Sequence, residues 1–162
     1  MALTLSEFHS DVAYGRMAGL RGGATGGRRV LALHGWLDNA ASFLPLSTHL
    51  DGIELVVPDL PGHGASAHLP AGADYSFPFM VHALLDLVDA LGWDRFAILG
   101  HSMGAGIGSL IAAGCPERVE RFVAIEAVRF GPRLAFEQQI DADAQRCLLP
   151  PMILQPLVEN AV

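Results

Sequence analysis

The chain has 162 residues, the length of one domain or part of one. Hydrophobic residues make up 51% of it and charged residues only 17%, with 18 glycines and 10 prolines, which excludes a disordered chain and points to a core crossed by many tight turns. The net charge of −7, with no basic run beyond Arg28-Arg29, excludes the electrostatic footprint of a nucleic-acid binder.

Address and compartment follow from similar exclusions. Cys115 and Cys147 have no metal-ligand or redox spacing and read as reduced thiols. MALTLSEFHSD lacks the basic start and continuous apolar run of a signal peptide. The apolar run from Phe96 to Gly114 has the length of a membrane span but is broken by His101, Ser102, Ser109 and several glycines, so a strand, a sharp turn and a helix describe it better. The expectation is a cytoplasmic protein with neither membrane nor nucleic acid as partner.

In chain order, Thr4 to Phe8 and Val12 to Met17 read as the arms of an irregular hairpin, and the glycine-rich GLRGGATGGRR after them as an exposed loop. VLAL (Val30 to Leu33) and IELVVP (Ile53 to Pro58) are short apolar runs bounded by turn residues, as in strands buried on both faces of a parallel sheet. Phe43 to Leu50 can supply a helix between them. Ser76 to Leu91 carries apolar residues at a helical period, and Gly92 stops it. Arg95 to Leu99 predicts a strand, Met103 to Ala113 a small-residue helix, and Val119 to Ile125 a further strand. This alternation predicts a mostly parallel α/β sheet with right-handed crossover helices.

One stretch carries chemistry. G-H-S-M-G, Gly100 to Gly104, fits the G-x-S-x-G elbow and lies between a buried strand and a helix, the context that pattern requires. The glycines permit strained backbone angles and close approach of neighbouring chain. Ser102 then projects above the sheet, where the helix N-terminus favours negative charge on a reacting oxygen. His34-Gly35-Trp36 follows the first buried strand, where a turn can aim the Trp36 N–H at the same oxygen as the Met103 N–H. PDLPGHGAS follows the second. In it, Asp59 reads as a turn-fixing acceptor and His63 as structural.

LHGWLDNAASF, VVPDLPGHGAS and LGHSMGAG, in this order and spacing, resemble an α/β-hydrolase of the serine-hydrolase-like group over residues 1–127. The resemblance implies an α/β-hydrolase fold with Ser102 as nucleophile and the Trp36 and Met103 amides as oxyanion hole. His34, Gly35 and His101 would line the substrate site, the substrate being a small-molecule ester or related acyl compound, with no cofactor and no metal. The family's order of serine, acid, then histidine is not met, because His9, His34, His49, His63, His68, His82 and His101 all precede Ser102. Glu126 is the nearest substitute for the acid. The expectation is a hydrolase truncated before its last strands and impaired or inactive as a catalyst, liable to self-association through an exposed sheet edge.

From Arg129 the chain resembles a different family. RFGPRLAFEQQIDADAQRCLLPPMILQPLVENAV is similar to the join between the phosphoacceptor and ATPase parts of a sensor histidine kinase, so residues 128–162 read as a foreign tail. That resemblance implies a metal-ligating role for Asn160 and a nucleotide-assisting role for Glu159. No glycine-rich lid follows, so neither is expected to bind anything. Two alternatives to a hydrolase stay open: a non-catalytic interaction module, and a regulatory fragment derived from a histidine kinase.

Overall fold

The computed structural model describes residues 3–125. Glu126, the tail at 128–162 and the residues named in it lie outside the described residues. Among those described, six strands form one sheet in the order β1-β2-β4-β3-β5-β6: β1 Leu5–Val12, β2 Gly15–Gly23, β3 Arg28–Leu33, β4 Ile53–Pro58, β5 Phe96–Gly100 and β6 Val119–Ala124. β3 runs parallel to β4 and β5, and β5 to β6, whereas β1 and β2 form an antiparallel hairpin that joins the sheet along β4. This is the α/β-hydrolase fold with its mostly parallel sheet.

Helices α2 (Phe77–Ala90) and α3 (Met103–Gly114) pack on one face. Met80, Leu84, Leu87 and Val88 of α2 are fully buried against Leu31, Leu33, Val56 and Ile98 of the sheet, and Ile107 and Ile111 of α3 close the same cluster. Each such side chain contributes about 1.5–3 kcal/mol, so packing rather than helix propensity fixes these elements. The end of α2 is set by backbone: Gly92 (φ +68) donates to Asp89 and Trp93 to Val88 at 2.9 Å, a Schellman stop on the glycine the sequence singled out. On the other face Ala40 and Phe43 cover Val30, Leu55 and Val57.

Two local expectations need correction. Gly19 to Gly23 belongs to β2 and pairs with β4, and Arg28-Arg29 opens β3, so the glycine-rich run is only partly a loop. A Cβ on Gly22 would collide with the Thr4 carbonyl just before β1 and one on Gly23 with the Ile53 carbonyl of β4. Glycine there lets β2 fit tightly between two strands.

The expected helix from Phe43 to Leu50 shrinks to a 3₁₀ turn, Ala40–Phe43, followed by a single turn, α1 Leu44–Ser47. The Ser47 and Thr48 hydroxyls bond the Leu44 and Pro45 carbonyls, and the His49 and Leu50 amides bond carbonyls three residues back, which tightens and ends the helix.

Candidate active site

β5 ends at Gly100 and α3 begins at Met103, so the chain reverses over His101 and Ser102. Ser102 takes φ 51° and ψ −117°, well outside the extended conformation usual for a helix N-cap, and its side chain makes no capping hydrogen bond. A serine that occupies a cap position without capping has its hydroxyl free for other chemistry. Holding it there costs about 1–3 kcal/mol of backbone strain.

Surrounding backbone over-determines that conformation. His101 donates to the Leu33 carbonyl at 2.9 Å, and the Gly104 and Ala105 amides bond the His101 and Ser102 carbonyls at 2.9 and 2.8 Å. A Cβ on Gly104 would overlap the Leu33 carbonyl and lie 2.7 Å from that of His34, so α3 starts in direct contact with the end of β3. The same approach brings Gly35 beside the serine: its Cβ would sit 3.4 Å from Ser102 Cβ and 3.0 Å from His101 Nδ1. Thus β3 and β5, neighbours in the sheet, deliver Gly35, His101 and Ser102 to one place. Among the described residues, neither the Trp36 nor the Met103 amide donates to a backbone carbonyl.

His34 has a different job from the one its position suggested. It is fully buried; its Nδ1 meets the Gly35 carbonyl at 2.8 Å and its Nε2 accepts from the Leu60 amide at 2.9 Å. Those partners fix the neutral Nδ1–H tautomer and leave no ring nitrogen to face a substrate or take a proton from Ser102. Burial is the main cause that holds its pKa below the usual 6.5, with the Gly35 hydrogen bond opposing. His34 is a brace between the two loops.

Asp59 is a second brace. It is buried, and its carboxylate accepts from the Ala40 amide at 2.7 Å and the Ala65 amide at 2.8 Å. The buried Ser66 hydroxyl donates to the Asp59 carbonyl at 2.6 Å and accepts from the Ala18 amide at 2.9 Å. The sequence expectation of a turn-fixing acceptor describes this geometry. What it missed is Leu37, a non-glycine residue at φ 56°, because nothing in a leucine signals a left-handed backbone. It also missed the ring contacts of His63, edge-on to His34 at 5.2 Å and to Trp36 at 5.7 Å. A cleft of about 540 Å³ bounded by Phe8, Arg16, Gly19, Asn39 and Ala65 lies against the hairpin and does not include Ser102.

A strained, uncapped serine at the strand-to-helix turn of a mostly parallel sheet defines a chain of the α/β-hydrolase class. Comparison with known proteins agrees: the alpha/beta hydrolase fold model matches residues 28–148, and the chain belongs to that family. It is 42% identical over 133 residues to a serine hydrolase-like protein of Danio rerio, covering 82% of this chain and 41% of that one. The crystal structure of a hypothetical protein from Pseudomonas aeruginosa PAO1 superposes with a TM-score of 0.70 at 42% identity, covering 73% of this chain and 42% of that one. A membrane phospholipase A structure does so with 0.71 at 30% identity, covering 74% and 39%. The chain therefore spans about two fifths of the length of these relatives. The family match runs to residue 148, past the sequence-derived boundary at 127. Among the described residues no helix is long and apolar enough to cross a membrane.

Proposed function

We propose that the chain is a serine hydrolase acting on an ester or related acyl substrate, with Ser102 as nucleophile and the Trp36 and Met103 amides as oxyanion hole. The observation that carries this reading is the strained Ser102 whose hydroxyl does not cap the helix it begins. The similarity to serine hydrolase-like proteins supports the reaction class. Attack by Oγ on an acyl carbon would place the oxyanion near two amides that have no other backbone acceptor.

Turnover by the 162-residue chain is expected to be poor. No histidine follows Ser102, and His34, which lies nearest the oxyanion loop, has both ring nitrogens committed. Loss of a triad histidine costs about 10⁶ in kcat, leaving roughly 10³–10⁴ over water from binding and the oxyanion hole. Glu126, one residue past the last described, is the proposed acid. The cytoplasmic address belongs to the same proposal, as does a separate character for the chain past residue 148, where the family match stops, and no ATP binding by residues 128–162 is expected.

The test is covalent labelling with a small fluorophosphonate followed by peptide mass mapping. Wild type should be modified slowly at Ser102 and Ser102→Ala should not react. Equal labelling of the two would remove the assignment.

A further inference from the structure

Large apolar side chains are rarely left in water without company, and single ones need no explanation. Two of the four exposed large apolar residues among those described are consecutive, Trp36 at 64% exposure and Leu37 at 81%. They directly follow Gly35, the residue in contact range of Ser102. Leu37 also holds φ 56°, a conformation that costs an L-residue about 1–2 kcal/mol, so a slack loop would not choose it.

The loop is held from both sides. Downstream, the Asn39 amide donates to the Asp38 carboxylate at 2.8 Å and the Asn39 side chain caps the 3₁₀ turn through the Ala41 amide. Upstream, the Trp36 indole meets the His63 ring at 5.7 Å, and His63 meets the buried His34 at 5.2 Å, so a row of rings runs from the interior to the exposed indole. The result is a fixed apolar ledge that follows directly on Gly35, the residue in contact range of Ser102.

We propose that this ledge binds the apolar chain of the acyl group, so that the substrates are esters or related derivatives of carboxylic acids with an uncharged chain of several carbons, rather than acetyl or charged acyl compounds. The inference rests on Ser102 as nucleophile. With the carbonyl carbon at Ser102 Oγ, the remainder of the acyl group must lie over a neighbouring surface. An indole and an isobutyl group there offer burial to a hydrocarbon chain and nothing to a charged one.

Two fluorophosphonates that differ only in an ethyl or octyl chain separate this inference from the reading beneath it. Each reacts by forming an Oγ–P bond and expelling fluoride, the hydroxyl proton passing to solvent. The full 162-residue chain should react about tenfold faster with the octyl probe, and that ratio should fall towards unity in Trp36→Ala and in Leu37→Gly. Leu37→Gly accepts the positive φ, so misfolding does not cloud the comparison. Tryptophan emission gives a second readout, because Trp36 is exposed whereas Trp93, the other tryptophan, is 3% exposed. The octyl adduct should shift the emission to shorter wavelength and the ethyl adduct should not. If the ethyl probe labels Ser102 but the ratio is the same in wild type and both variants, the ledge has no role and Ser102 keeps its own. If neither probe labels Ser102, the nucleophile reading fails and takes the inference with it.

Discussion

Replacing glycine by alanine at the two ends of α3 should have opposite consequences. At Gly104 the added Cβ would overlap the Leu33 carbonyl and sit 2.5 Å from its carbon and 2.7 Å from the His34 oxygen, where ordinary contact begins near 3.4 Å. Those atoms are backbone, and Leu33 is tied to the sheet through the His101 amide at 2.9 Å, so relief requires β3 and α3 to separate by about an ångström. Overpacking of this kind costs about 1–3 kcal/mol, and contact with backbone rather than a flexible side chain puts it near 3. The gain in helix propensity returns about 1 kcal/mol, leaving Gly104→Ala destabilised by about 2 kcal/mol. At Gly114 no atom lies within 4 Å of the new Cβ, so only the gain of about 0.5–1 kcal/mol remains. Urea denaturation followed by tryptophan fluorescence measures both. Gly104→Ala should also slow labelling of Ser102, because the Gly35–Trp36 loop moves away from it, while Gly114→Ala leaves the rate alone. A Gly104→Ala protein as stable as wild type and labelled at the same rate would refute the close β3–α3 contact on which the site is built.

Three further outcomes are expected. Ser102→Gly should be more stable than wild type by about 1 kcal/mol in the same denaturation, since relief of 1–3 kcal/mol of strain exceeds the added chain entropy of about 0.5–1; a less stable variant would show that the positive φ is not strained. Because burial lowers the His34 pKa, the unfolded chain takes up a proton that the folded chain refuses. Stability is therefore complete above about pH 6.5 and is lost at up to about 1.4 kcal/mol per pH unit as pH falls below it, until the folded pKa is reached; His34→Asn should flatten that slope between pH 7.5 and 5.5, and an unchanged slope would contradict the buried neutral imidazole. Finally, β6 is an edge of the described sheet, with Val123 45% exposed, and is expected to pair two copies of the chain; size-exclusion chromatography with light scattering should show a dimer that Val123→Lys weakens, and a monomer at all concentrations would argue against edge pairing.

The parts of this fold that could be read from sequence are those where one physical requirement dominates. Val30–Leu33, Ile53–Pro58 and Phe96–Leu99 are apolar runs because both sheet faces are covered, and α2 shows its period because one side meets the core. Ser102 was visible because the elbow needs glycines at fixed offsets. β2 was hidden, since its glycines answer to the carbonyls of Thr4, at the entry to β1, and of Ile53 on β4, and tertiary contact overrode local propensity. His34 illustrates the same limit within the site. Its position beside the oxyanion loop suggested contact with substrate, but the Leu60 amide that takes up Nε2 meets it only once β3 and β4 are neighbours, while Nδ1 is held locally by the Gly35 carbonyl. Leu37 could not have been found, because its backbone angle is imposed by the loop that follows Gly35.

Intact-mass spectrometry after exposure of the 162-residue chain to p-nitrophenyl hexanoate tests the role of Ser102 most directly. A serine nucleophile that is acylated without a histidine to activate water should accumulate one hexanoyl group per chain, mapped to Ser102 and absent in Ser102→Ala, while release of p-nitrophenol stops near one equivalent. Either of two results would contradict it: no adduct on the folded chain, or an adduct that survives unchanged in Ser102→Ala.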